Sequence, residues 1–381
     1  MIGWFRFALA WLVAAAHLGG PGFDRANAIF AVQGFFVVSG FLMAAILNGP
    51  YKGRPFAFWG NRFLKLFPAY YIVCAVILAA VVLDPTHFYR DGWTLDWSPL
   101  SIVANLTIVP LAFTDGNWRF IGPTWSIGVE ILNYAILFAL SARGPKFALV
   151  VLLAGAAWHA HVIAAEGYYV NARYWPWYAA LVPFSVGALA FFASRRWPIR
   201  PGIGVAAAVL WVINLAAADW VDRGYAREIV MWYANIGLVA VLTAALAPLR
   251  QEGVLRRLDG FVGDLAYPVF LVHGIASSFT GLAIASLGAN VPLSTPIYLA
   301  ACVPLILIAS IVVARLASWL VEPLRDQVRA GGTNEPASAP LHQRSLSSLQ
   351  QHLSPPLAEA IHRFDLEPPR VKSRSRSNRP G

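Results

Sequence analysis

Cysteine is nearly absent. Cys74 and Cys302 are the two in 381 residues, and both lie in apolar runs. That excludes a disulfide framework and a Cys-based metal site. Charge is scarce too: Asp, Glu, Lys and Arg make up 13% of the chain, against about 25% in an ordinary soluble domain. Also missing are a Walker loop, a nucleophile elbow with a Ser-His-Asp order, and any His/Cys metal spacing. Nothing therefore points to ATP-driven chemistry, a metal or a tightly bound cofactor, and group transfer would need a pre-activated co-substrate. The apolar stretches lack the ten-residue alternation of an outer-membrane barrel. No internal repeat and no soluble second domain stand out.

What remains is apolar. The chain is 58% hydrophobic, with a mean hydropathy of +0.58, and several runs approach or exceed the roughly 17–25 residues that cross a bilayer. The expectation is an all-α, polytopic membrane bundle. Fifteen Trp and thirteen Tyr fit interfacial belts. We place ten spans at 4–19, 28–48, 66–83, 124–140, 146–164, 175–193, 203–218, 229–248, 264–287 and 296–321. The stretch Leu100 to Phe113 is read as an interfacial or re-entrant piece of a long loop.

Loop charges orient the bundle. With the N-terminus inside, the inner loops carry Lys52, Arg54, Arg62, Lys65, Arg143, Lys146, Arg195, Arg196, Arg200, Arg250, Arg256 and Arg257. The outer loops carry Arg25, Arg90, Arg119, Arg173, Arg223 and Arg227, and the long outer loop also holds Asp84, Asp91, Asp96 and Asp115. This asymmetry predicts ten spans with both termini cytoplasmic. Residues 1–325 are expected to form the membrane domain. Residues 326–381, rich in Ser, Pro, Arg and Gln, are expected to be a disordered basic tail that can touch anionic headgroups. The net charge of +10 thus belongs to loops and tail and does not signal nucleic acid.

Polar residues inside the apolar runs carry the chemistry, because burying a charge in a bilayer costs about 2.5–3.5 kcal/mol or more. Arg6 and His17 stand eleven residues apart in the first span. On a helix that spacing rises about 16 Å and nearly completes a whole number of turns, so both share one face. The same stretch, with Ala14-Ala15-Ala16, also resembles a cleavable signal peptide, but cleavage would discard both residues. In QGFFVVSGFL, residues 33–42, two glycines, a serine and a glutamine suit either close helix packing or binding. Arg62 and Lys65 share a face; they are either topology signals or a phosphate-binding pair. Ser126 and Glu130 also share a face, and Glu130 is an intramembrane acid needing a partner. A His17–Glu130 pair would orient the imidazole as a general base, while an ion pair with an arginine is the structural alternative. His273, in VGDLAYPVFLVHG, could line the same cavity or simply be bonded to a backbone carbonyl. His159 and His161 are read as interfacial, Pro268 as a first-turn proline, and Glu322-Pro323 as the end of the last helix.

Taken in order, these blocks resemble the acyltransferase-3 family of integral-membrane O-acyltransferases. The resemblance covers about residues 1–325: Arg6 with His17, QGFFVVSGFL, RFLKLFPAY, PTWSIGVE, GDLAYPVFLVH and the closing VEPL. It implies transfer of acetyl or other acyl groups from acyl-CoA to sugar hydroxyls of polysaccharides, lipopolysaccharide, glycolipids or antibiotics at the bacterial inner membrane. By resemblance Arg6 and His17 are the essential N-terminal pair, and the family's R-x-x-R falls on Arg62 and Lys65, where Lys keeps the charge but loses the fork. Ser126 and Glu130 match its W-S-x-x-x-E block, although the usual second acid and Phe-Tyr are Ile131 and Asn133-Tyr134 here. The periplasmic domain of some members is absent.

The resulting expectation is an O-acyltransferase of groups other than amino-acyl groups. Its catalytic residues would be His17 and Glu130, and Arg6, Arg62, Lys65, Ser126 and His273 would bind substrate or donor. Acyl-CoA, a carbohydrate or glycolipid acceptor and the bilayer are the expected partners. The competing reading is a transporter or flippase of a glycolipid or small solute, resting on the same intramembrane polar residues but without paired inverted repeats.

Overall fold

The computed structural model describes residues 1–330, apart from 21, 23, 24, 94, 115–117, 169, 219, 223, 250 and 290. Arg223, Arg250, Asp115 and the stretch 331–381 of the expected tail lie outside the described residues, which contain helices and turns but no strand.

Every expected span falls on a helix. These are α1 (Ile2–His17), α2 (Arg25–Leu47), α3 (Pro55–Leu83), the short α4 (Pro85–Arg90) and α5 (Pro99–Thr107), α6 (Trp125–Ala139), α7 (Pro145–Glu166), the one-turn α8 (Asn171–Tyr174), α9 (Leu181–Arg196), α10 (Pro201–Ala218), α11 (Trp232–Leu246), α12 (Gly253–Ser286) and α13 (Pro296–Ala330). A π-helical turn, Ala226–Met231, leads into α11. Among the described residues eight helices are long and apolar enough to cross a bilayer, while α1 is apolar but has 16 residues and α9 also has 16. The protein is a helical membrane protein.

Three helices are longer than their apolar runs. α3 begins at Pro55 and α12 at Gly253, so Pro68 and Pro268 both lie inside helices, rather than Pro268 in a first turn. Hydropathy sees the apolar run alone; the polar turns before it satisfy their backbone within the same helix. Glu322 and Pro323 likewise do not end α13, whose backbone runs on to Ala330. A proline removes one amide donor, which leaves one carbonyl a turn earlier without its helical partner but need not end a helix. The Leu100 to Phe113 stretch folds as α5 followed by a 3-10 turn, Val109–Ala112. Asn105 locks it: its Nδ2 donates to the carbonyls of Ser101 and Trp118, and its Oδ1 accepts from the Tyr70 hydroxyl and the Phe120 amide.

Small residues set the helix crossings. A Cβ on Gly3 would stand 2.0 Å from the Asp259 carbonyl oxygen, which brings the start of α1 against α12. The crossing is secured by the N-terminal ammonium, 2.8 Å from the Asp259 carboxylate. Gly40 of α2 and Gly187 of α9 meet in the same way, with a Cβ falling 2.1 Å from the Phe184 carbonyl and 2.0 Å from the Val37 carbonyl, respectively. Backbones can approach this closely only where no side chain intervenes. Gln33 accepts from Asn235 of α11, which also accepts from Trp211 of α10. QGFFVVSGFL is thus largely a packing segment at its glycines and glutamine.

Candidate active site

The rigid α1–α12 crossing carries two imidazoles together. His17 Nδ1 lies 2.9 Å from His273 Nε2, with the rings stacked at 5.1 Å. His273 Nδ1 lies 3.2 Å from the Val269 carbonyl. A carbonyl oxygen can only accept, so this Nδ1 carries the proton. With His273 neutral, its Nε2 is an acceptor and His17 Nδ1 donates to it, leaving the lone pair of His17 on Nε2. His273 is 2% exposed, whereas His17 keeps an open face at the end of α1.

The second element is a cavity of about 100 Å³ between α1, α2, α3, α6 and α12. Arg6, Arg62 and Lys65 bring cations to its wall, and Ser39, Ser126, Glu130, Tyr134 and Tyr267 bring hydroxyls and a carboxylate. Its apolar lining includes Phe35 and Phe270 of facing helices, with ring centroids 6.2 Å apart. Phe270 in turn stands 6.4 Å from the His273 ring, so this one side chain borders both the cavity and the imidazole pair, though neither histidine lines the cavity. Arg62 is buried, and its Nη2 donates to Asn61 Oδ1 at 2.8 Å. Tyr267 donates to the Leu66 carbonyl at 3.0 Å, which clamps α12 to α3 beside Pro68.

The sequence-derived residues therefore divide into two groups. Arg6, Arg62, Lys65, Ser126 and Glu130 share one cavity. His17 and His273 form a pair beyond Phe270. The expected His17–Glu130 pair is not formed. Glu130 Oε1 instead accepts from Ser39 at 2.6 Å and from the Tyr134 hydroxyl. The reason is packing: α1 lies along α12 and α2, while α6 docks on α2, so the ring at the end of α1 meets α12. Ser126 donates to the Pro123 carbonyl at 2.9 Å, not to an imidazole or carboxylate that could activate it.

Ser39 and Tyr134 are new to the site. Tyr134 follows Glu130 by four residues, a spacing that faces it toward the acid; Ser39 is the serine of QGFFVVSGFL, a block that suits packing or binding by its sequence without naming Glu130 as its partner. His159, read as interfacial, is buried within the bundle. Its Nδ1 meets the Tyr233 hydroxyl at 2.9 Å and its Nε2 the Ala179 carbonyl at 3.0 Å, so it ties α7 to α11, whereas His161 is exposed.

No solved structure matches the chain. A protein described as "Protein 2 in picA locus" of Rhizobium radiobacter is 30% identical over 161 residues, which is 38% of this chain and 83% of that protein. The family model of acyltransferase 3, described as an acyltransferase domain, matches residues 2–315. That match embraces both histidines and the whole cation-lined cavity, and by it the chain belongs to the acyltransferase 3 family of membrane acyltransferases.

Proposed function

We propose that this protein is an inner-membrane O-acyltransferase that moves an acyl group, acetyl in the first instance, from acyl-CoA to a hydroxyl of a carbohydrate or glycolipid. In this reading ten helices cross the membrane and both termini are cytoplasmic. The observation that supports it is that three cations line an apolar cavity whose Phe270 neighbours the imidazole pair. Arg6, Arg62 and Lys65 hold the donor's phosphates, Arg through bidentate forks and Lys as a point charge. The eleven residues from Arg6 to His17 rise about 16 Å, a span suited to an extended pantetheine arm. Its thioester then reaches the histidines past Phe270.

His17 Nε2 takes the proton of the acceptor hydroxyl as that oxygen attacks the thioester carbonyl carbon. The C–S bond breaks, and the thiolate receives the proton back from the imidazolium. The products are an ester and free coenzyme A. Transfer is direct, without an acyl-enzyme, because Ser126 gives its hydroxyl proton to a backbone carbonyl. Glu130 shapes the cavity through Ser39 and Tyr134 and does not orient the base.

The test uses purified protein with acyl-labelled acetyl-CoA, following free thiol release and label transfer. Wild type is expected to turn over the donor and His17→Ala is expected to be inert. Full activity in His17→Ala overturns the mechanism. Solute movement without acetyl-CoA turnover supports the transport reading instead.

A further inference from the structure

A second cavity, of about 280 Å³, opens at the end of the bundle where α1 finishes and α2 begins. Arg25 and Ile29 of α2, Tyr168 and Asn171 beside α8, and Arg227 and Glu228 of the π-helical turn line it, over a floor formed by Trp232. It is a built site. Arg173, 1% exposed, donates to the carbonyls of Glu228 at 3.0 Å and Tyr168 at 3.2 Å, drawing two walls together. Its guanidinium stacks 4.8 Å over the Trp232 ring. Turns of π-helix also concentrate at functional sites.

The charge in and behind this wall is lopsided. Among the described residues the lining carries two guanidiniums, Arg25 and Arg227, and one carboxylate, Glu228, and the buried Arg173 adds a third guanidinium behind it. Glu228 sits 3.9 Å from Arg227. Two backbone carbonyls take the Nη donors of Arg173 and an indole ring stacks on it, its buried Nε has no hydrogen-bond partner among the described residues, and none of these contacts cancels its charge. In a low-dielectric wall that uncancelled charge makes the cavity attract anions. Tyr168 and Trp232 add aromatic faces, so the lining combines apolar surface with a few polar groups, as ligand sites do.

Position supplies the role. Ile29 lines this cavity, and Val32 and Phe36, three and seven residues on, line the cation-lined cavity. That spacing puts all three on one face of α2. The two cavities are therefore stacked along one helix, the upper one at the His17 end. We propose that the upper cavity binds the acidic group of the acceptor, so that the acceptor is a carbohydrate bearing a carboxylate or a phosphate. This rests on the reading that the protein acylates a carbohydrate.

Calorimetry on the purified full-length protein tests it with three probes: tri-galacturonate, glucose 6-phosphate and neutral maltotriose. The acidic probes are expected to bind at least tenfold more tightly than maltotriose, and Arg25→Glu to weaken them about tenfold, equivalent to 1.4 kcal/mol. Arg25→Lys is expected to recover most of that loss. Arg25 stands at the exposed start of α2, where an acid is compatible with the helix dipole, so the Glu variant folds. Equal affinity for acidic and neutral probes overturns the proposal, as does unchanged binding in Arg25→Glu. Displacement of both acidic probes by phosphatidylglycerol also overturns it and identifies a lipid headgroup site. The same preparation is assayed for acetyl-CoA turnover. Binding without turnover sinks the acyltransfer reading and leaves the anion site standing; turnover without acid-selective binding does the reverse.

Discussion

His17 and His273, 256 residues apart in sequence, stack with Nδ1 and Nε2 2.9 Å from each other. The Val269 carbonyl holds the far nitrogen of His273. The chain of bonds sets the tautomer of His17 and leaves its basic nitrogen on the open side. A positioned general base contributes about 10²–10⁴-fold.

Replacing His17 by Ala is therefore expected to lower kcat for acetyl transfer by at least about 100-fold. His273→Ala is expected to lower kcat by less, with KM for acetyl-CoA nearly unchanged, because in the proposed mechanism His273 orients the base without holding the donor. His273→Gln offers a side-chain oxygen acceptor in place of Nε2 and should recover part of the loss. Steady-state kinetics of the three variants separate these outcomes; a change in donor KM alone would assign His273 to binding.

Glu130 makes a contrasting prediction. Its carboxylate receives the Ser39 and Tyr134 hydroxyls, and Gln keeps an oxygen there. Glu130→Gln should leave the shape of the kcat–pH profile intact, since the base is oriented elsewhere. Glu130→Ala strands two hydroxyls and should cost about 1–3 kcal/mol for each one left unsatisfied, visible as a lowered thermal midpoint in detergent. A shifted profile in Glu130→Gln would restore a direct link to His17.

The proposed mechanism gives Arg6, Arg62 and Lys65 the donor's phosphates. Arg6→Ala and Arg62→Ala are expected to raise KM for acetyl-CoA about tenfold or more, with one charge-assisted contact worth about 1.5–3 kcal/mol. Lys65→Arg, which restores the fork, should lower it. Acetyl-pantetheine has no phosphates, so these variants should handle it like wild type. A penalty that persists with acetyl-pantetheine would give these cations another task.

The glycine crossings make a stability prediction. A side chain at Gly40 would push into the Phe184 carbonyl, and one at Gly187 into that of Val37. Gly40→Val and Gly187→Val are each expected to destabilise the protein by about 1–3 kcal/mol, the usual cost of overpacking. Gly237, with open space around its Cβ position, is the control: Gly237→Ala should leave the thermal midpoint unchanged or raise it.

Much of this molecule is local and was legible as such. Apolar run length gave the helices, because a chain in lipid must satisfy its backbone within each helix. Helical spacing put Arg6 and His17 on one strip and Arg62 beside Lys65, and the four-residue step from Glu130 to Tyr134 was equally readable. The helix ends were not, since hydropathy is blind to polar turns that continue a helix past the membrane, as at Pro55, Gly253 and Ala330.

What tertiary structure alone decided is which polar groups meet. Glu130 found Ser39 on α2 and His17 found His273 on α12, across 91 and 256 residues of chain. No spacing rule reaches that far, because helix pairing depends on which small residues let backbones approach. Gly3 against α12 made that choice for His17. The amino-acid sequence by itself determined the helices and placed the cations and His17 on them, while the crossings chose His273 as the partner that sets the His17 tautomer.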